Sequence, residues 1–201
     1  MLNYISDILS VAKVYYNKSM SSSLEIVKNG IKIFGSPYSK GCLKILENHL
    51  EAFNSAPGSR KNHQAWSGGY LDHIAETFQI AKGIYNIFPE RQPALHLPDA
   101  LLVLFLHDIE KPFMYTYEKG ELIIKNSELK NKKARQQFRE KLIKEYGLPL
   151  KEKHWHALKY VEGVRDKDYS PNSRTMNELA TLCHLADMAS ARLWHNYSKH
   201  Y

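Results

Sequence analysis

The chain is poor in cysteine: its 201 residues hold two, Cys42 and Cys183, widely separated and in no metal-type pair. That argues against a disulfide framework and for a reducing cytoplasm. Long hydrophobic runs are lacking too. The longest, Ala100 to Leu106, falls far short of the roughly 20 residues a membrane span needs. The N-terminus has no basic stretch, apolar core and small-residue exit of the signal-peptide kind. No internal repeat, low-complexity segment or linker is visible. The expectation is one soluble domain over residues 1–201, large enough to bury a core unaided.

What is abundant is positive charge. Twenty-eight Lys and Arg against 21 Asp and Glu give +7 and a pI near 9.2. Such a balance fits anionic partners, nucleotides or nucleic acid, or simply a lysine-rich surface. Much of the excess sits between Lys125 and Lys144, where Lys130, Lys132, Lys133, Arg135, Arg139, Lys141 and Lys144 crowd a stretch without Gly or Pro. It reads as an amphipathic helix whose basic face is either solvated or a track for phosphates.

Apolar residues recur with the period of a helix. Stripes run over Met1 to Lys18, and over Tyr38 to Phe53 through Cys42, Ile45, Leu46, His49 and Leu50. After Ser67-Gly68-Gly69 a long helix is predicted, stopped by Pro89; Pro98 suits the first turn of the next, which runs to His107-Asp108 and halts before Pro112. Further helices are predicted at Ser127 to Tyr146, Lys151 to Tyr160 and Thr175 to Tyr197. Tyr115-Thr-Tyr117, Lys119-Gly120 and Leu122-Ile-Ile124 suit one small β-hairpin. The fold class is all-α.

The doublet His107-Asp108 follows the apolar run directly. A carboxylate there needs compensation, and a bound cation supplies it. His73, inside the long helix, reads alone as structural. Asp187, inside the apolar stretch Leu179 to Ala191, reads alone as a cap or a partner for Arg192. Together His73, His107, Asp108 and Asp187 offer two imidazoles and two carboxylates from three helices. That mixed set suits one divalent ion, Mn, Fe, Co, Ni or Zn, with Mg permitted. Four protein ligands in a six-coordinate shell leave two positions for water and a substrate oxygen.

The ordered pattern His73 … His107-Asp108 … Asp187 resembles the signature of the HD superfamily of metal-dependent phosphohydrolases. Asn62-His63-Gln64-Ala65-Trp66-Ser67-Gly68-Gly69-Tyr70-Leu71-Asp72-His73 is similar to the family's N-H-H-A-x-x-G-G-L-x-x-H approach, known from bacterial 3′-5′ exoribonucleases and small phage proteins. His107-Asp108-Ile109-Glu110-Lys111 resembles H-D-x-x-K, and Ala186-Asp187-Met188-Ala189-Ser190-Ala191-Arg192 resembles A-D-x-x-S-A-R. The similarity spans roughly Ser55 to Trp194. It implies an all-α fold of six or seven helices, with the metal held among them by His73, His107, Asp108 and Asp187, and hydrolysis of a phosphate ester or anhydride.

Two departures stand out. The stretch Ala157 to Gly163 lacks the histidines that bind a second metal in many relatives, so one ion is expected; His154 and His156 flank Trp155 nearby and read as surface or core. Glu110 stands where relatives often have Gly, and faces elsewhere if the turn directs it so. Lys111 is a candidate to hold a phosphate or the leaving oxygen, or else to pair with Asp108. Arg192 suits bidentate phosphate binding or a structural salt bridge. Arg60, Lys61 and His63 lie on a turn-rich loop suited to a cleft entrance, His63 being fit to orient or protonate a leaving group. Asp108 or Glu162 is the expected aid to deprotonating water. His195 and His200 receive no role. The substrate expected is a nucleotide, a nucleoside monophosphate or deoxynucleoside triphosphate, with no membrane partner. The alternatives are a phosphodiesterase on single-stranded nucleic acid or a cyclic nucleotide, and a non-catalytic module that binds a nucleotide or docks a partner.

Overall fold

The computed structural model describes residues 22–164 and 168–193; the stripe predicted over Met1 to Lys18, His195 and His200 lie outside them. The described residues are mainly helical, with one two-stranded antiparallel hairpin, as the periodicity implies. In chain order the helices are α1 (Ser23–Lys32), α2 (Tyr38–Asn48), α3 (Leu50–Ser55), α4 (Gly69–Ile87), α5 (Gln92–Leu95), α6 (Leu97–Leu106), α7 (Lys111–Met114), α8 (Lys132–Glu145), α9 (Glu152–Tyr160) and α10 (Glu178–Leu193). Strands β1 (Tyr115–Glu118) and β2 (Glu121–Ile124) lie between α7 and α8. None of these helices is long and apolar enough to cross a membrane.

The long α4 is the centre, packed by α10, α1 and α6. Helix α6 carries apolar residues all round, the pattern of a helix with no solvent face, and it is buried from Asp99 to Leu106. Phe105 on α6 meets Phe53 on α3 at 6.2 Å between ring centres, and Phe53 meets Tyr70 on α4 edge-on at 5.4 Å. This aromatic wedge fixes the C-terminal end of α6 beside the N-terminal half of α4.

Element ends differ from the periodic reading for local reasons. The helix expected from Tyr38 to Phe53 is kinked at His49 (φ −125°, ψ 24°), whose ring sits 4.8 Å from that of Phe113 and whose Nε2 bonds the Tyr146 hydroxyl at 3.0 Å. Helix α8 starts at Lys132 rather than Ser127, because the Asn131 side chain accepts the backbone N–H groups of Lys133 and Ala134. Likewise Asn177 accepts the N–H of Ala180, and α10 begins at Glu178 instead of Thr175. The hairpin pairs Tyr115 with Ile124 and Glu118 with Glu121; Lys119 (φ 52°) and Gly120 (φ 83°) both take the positive φ of a tight two-residue turn.

Helix α6 stops at Leu106, one residue short of the doublet, and residues 107–110 form turns in which Lys111 N–H reaches the Asp108 carbonyl at 2.9 Å. Pro112 explains the change: it has no N–H to offer the Asp108 carbonyl and its ring would clash there. The doublet therefore sits on a turn whose side chains no longer follow the helix face.

Candidate metal centre

Three segments carry the site. The first is the loop 56–68, folded over the start of α4. Gly68 closes it with φ 77°, a conformation that costs glycine nothing. At Gly69 a Cβ would stand 1.9 Å from the Gln64 carbonyl oxygen, so the loop packs directly on bare backbone. That carbonyl accepts the N–H groups of Gly58 and Trp66, both at 2.9 Å. These contacts place His73 one turn inside α4, fully buried.

His107 and Asp108 come from the turn after α6, and Asp187 from the middle of α10. His73 Nε2 lies 3.1 Å from Asp187 Oδ1 and 3.9 Å from Asp108 Oδ2; His107 Nε2 lies 3.4 Å and 3.2 Å from the same oxygens. One ligand atom each from His73, His107 and Asp187 fall within 4.8 Å of one another. The geometry thus unites the four residues singled out from the sequence. Three form the tightest cluster, and the carboxylate of Asp108 is shared with the ammonium of Lys111.

The hydrogen bonds on the far side of each ring set its tautomer. The Leu104 carbonyl, 2.7 Å from His107 Nδ1, can only accept, so Nδ1 carries the proton. The Ser190 hydroxyl donates to Glu76 Oε2 at 3.0 Å and therefore accepts from His73 Nδ1, also at 3.0 Å. Gln64 Nε2 donates to the same hydroxyl (3.2 Å) and to Glu76 (2.6 Å). On each ring Nε2 is then the atom left to face the two carboxylates, buried and without a hydrogen-bond partner; on His107 a divalent ion would take the place of a proton. This donor set fits a divalent ion.

The field at the site favours positive charge. Burial opposes protonation of His107, yet Asp108 and Asp187 outweigh it and push its pKa up to about 10. Burial also works against ionisation of the two acids, but Lys111 and His107 hold Asp108 well below the usual carboxylate range, and His107 and His73 hold Asp187 there. At His73 burial prevails over Asp187 and lowers the pKa. His63 is pulled down to about 4 by burial, reinforced by His73 and Lys111, so it is neutral at pH 7. With His63 Nδ1 2.6 Å from the amide oxygen of Gln64, its Nε2 is an acceptor. Of the two expectations, to orient or to protonate a leaving group, a neutral ring suits the first.

A cleft of about 230 Å³ opens on the site, lined by His63, His107, Asp108, Lys111, Arg135 and Asp187 among others. It shares His107, Arg135 and Glu162 with a larger cavity of about 490 Å³ between α8 and α9. Of the other expected residues, Lys111 is beside Asp108 and also bonds the Gly58 carbonyl. Glu162 stands exposed at the rim, 3.4 Å from Lys132. Arg60, Lys61 and Arg192 are exposed and line neither cavity. His154 is structural: its Nδ1 accepts the Lys151 N–H and its Nε2 donates to Asp99 at 2.8 Å. His156 packs its ring on Tyr160 at 4.9 Å.

Some participants were not singled out. Ser190 and Glu76 each lie three residues beyond a candidate ligand, on the same helix face, which is the signal that marks them. The basic α8 is not merely solvated: Arg135 and Arg139 turn inward to Glu110, at 3.5 and 3.2 Å, and line the larger cavity with Trp155. Glu110 itself lines the cleft with the cluster residues while pairing with the two arginines. No family model, curated protein or solved structure matches this chain.

Proposed function

We propose that the chain is a metal-dependent phosphohydrolase of the HD type acting on a nucleotide. The observation that carries this reading is the pair of buried, unpartnered imidazole Nε2 atoms converging with two carboxylates on a cleft that also holds Lys111 and Arg135. His73, His107 and Asp187, with Asp108, would hold one divalent ion. When bound, such an ion polarises a phosphoryl oxygen and lowers the pKa of water in its shell.

The remaining work belongs to side chains. The Lys111 ammonium, clamped by Asp108 and the Gly58 carbonyl, is a fixed positive charge at the cleft and offsets charge on the phosphoryl group. Arg135, from the opposite wall, is the second such group. Lys111 keeps Asp108 anionic, so Asp108 serves to hold and orient rather than to take a proton. Glu162, which lines the cleft in a rim pair with Lys132 that solvent screens, would accept the proton from water. Neutral His63 offers a lone pair to a hydroxyl or a water at the cleft wall.

The test is a panel of nucleoside mono- and triphosphates incubated with the full chain and Mn, Zn or Mg, following phosphate or triphosphate release. Release that Asp108→Ala abolishes supports the reading. Shortening of a labelled oligonucleotide without nucleotide hydrolysis replaces it with a diesterase, and metal and nucleotide binding without turnover replaces it with a binding module. Metal analysis should give one tightly held ion per chain; two would refute the single-ion site.

A further inference from the structure

The larger cavity beyond His107 has a composition unlike that of the metal cleft. At about 490 Å³ it lies within the usual range for small-molecule sites, whereas the cleft, at about 230 Å³, suits a phosphoryl group rather than a whole nucleotide. One wall of the cavity is apolar and aromatic: Trp155 and Leu158 on α9, then Val161. Trp155 is 37% exposed, so part of its ring is open to a ligand.

Its charges are already matched. Among the described residues, Lys132 has Glu162 at 3.4 Å, Lys159 has Asp168 at 3.1 Å, and Arg135 and Arg139 share Glu110 at 3.5 and 3.2 Å. The lining cations Lys132, Arg135, Arg139 and Lys159 number four. The lining carboxylates Glu140, Glu162 and Asp168, with Glu110 behind them, also number four. An incoming chain of phosphates would meet carboxylates at every cation on this wall. Only at the metal end would a bound divalent ion add positive charge to receive a phosphate.

From this we infer that the cavity between α8 and α9 receives the uncharged, aromatic part of the substrate, with Trp155 as its stacking face. The substrate then carries its phosphate at one end only: it is a nucleoside monophosphate, not a triphosphate or an oligonucleotide. The inference rests on the phosphohydrolase reading for the chemistry but not for the binding. A flat base on an indole gains dispersion and stacking energy irrespective of its hydrogen-bonding pattern, so discrimination among bases is weak and discrimination against a baseless sugar phosphate is strong. Trp155 is on this account a specificity-determining residue.

The experiment uses the full chain and two readouts. Indole fluorescence is followed as nucleoside mono-, di- and triphosphates, a short single-stranded oligonucleotide and ribose 5-phosphate are titrated in. The expected result is quenching by monophosphates, absent in Trp155→Phe, with affinity falling from mono- to triphosphate. Steady-state hydrolysis is then compared for a nucleoside monophosphate and ribose 5-phosphate. Trp155→Ala should lower the ratio of their kcat/KM values roughly 5- to 150-fold, the range that base stacking supplies, mainly through KM, and Trp155→Phe should restore most of it. Quenching that persists in Trp155→Phe, tighter binding of triphosphate or oligonucleotide, or an equal loss on both substrates overturns the inference. Trp155-dependent quenching without turnover of anything upholds the binding inference and sinks the phosphohydrolase reading instead.

Discussion

Ser190→Ala removes a single oxygen, and the consequences can be worked through atom by atom. That oxygen accepts from His73 Nδ1 at 3.0 Å and from Gln64 Nε2 at 3.2 Å, and donates to Glu76 at 3.0 Å. Gln64 and Glu76 keep each other at 2.6 Å. His73 Nδ1 keeps nothing, and the ring is fully buried. Leaving one buried ring nitrogen without a partner costs about 1–3 kcal/mol, which for a domain of this size lowers Tm by roughly 2–12 °C. The larger effect is on the other side of the ring. With no acceptor at Nδ1, the proton shifts to Nε2, where Asp187 Oδ1 waits at 3.1 Å, and the lone pair a metal needs is lost. Losing the partner that orients a ligand imidazole typically costs 10–100-fold in metal affinity. Calorimetric titration of the chelator-treated protein with Mn or Zn should show that drop in Ser190→Ala, with Ser190→Thr, which retains the hydroxyl, close to the parent. Affinity for the alanine variant within threefold of the parent would refute the tautomer argument, and with it the role of the Ser190–Glu76 pair.

Three further outcomes are expected. Gly69→Ala drives a methyl into the Gln64 carbonyl, a backbone group already fixed by two N–H donors, and should exceed the ~1–3 kcal/mol usual for overpacking; an unchanged Tm would show that the loop is free to move. At Asp99, burial raises the carboxyl pKa but the bonds from Lys153 and His154 outweigh it, so the folded value lies below the unfolded one of about 4. Its stabilisation is then present above pH ~4 and lost as the pH falls through the folded value. Urea midpoints of Asp99→Asn should lie below the parent at pH 7 and converge with it toward pH 3; a gap that widens on acidification contradicts the sign. Arg139→Met leaves buried Glu110 with Arg135 alone, and should cost less than the roughly 3–5 kcal/mol of a wholly orphaned buried charge. Adding Glu110→Gln to it should recover stability, and a further loss in the double variant would show that the acid is held by something other than these arginines.

Much of the helical frame is legible in the sequence, since α4, α6 and α9 follow from apolar spacing and from Pro89, Pro98 and Pro112. Helix α1 escapes because its buried face, Val27, Gly30 and Ile31, is interrupted by Asn29 and includes a glycine that periodicity discounts. The candidate ligands are legible as an ordered set, His73, His107-Asp108 and Asp187, rather than singly, since His73 and Asp187 each read alone as structural. Their supporting groups are less so. The bonds of Gln64 and Glu76 to Ser190 cross 126 and 114 residues of chain, and nothing local signals such a contact. The orientation of α8 is hidden for a related reason. A lysine-rich helix reads as solvated until a buried acid, Glu110, is found on the segment it covers.

That acid supplies the comparison which gives the doublet its meaning. Where this fold buries a carboxylate for structure, it pairs it with donors of its own. Asp99 has Lys153, His154 and His96; Glu110 has Arg135 and Arg139. At the doublet the proportion is reversed. Asp108 and Asp187 face each other across two imidazoles with Lys111 as the single permanent cation, and His107 holds a proton up to about pH 10 in their field. The excess of buried carboxylates over permanent cations calls for a further positive charge, which a proton on His107 supplies and a divalent ion would replace. A mutation relieving the excess, Asp187→Asn, should therefore cost little stability in chelator while removing the rise in Tm that added Mn gives the parent. Equal metal-induced stabilisation in both proteins would mean that the cluster at the end of α6 is structural after all.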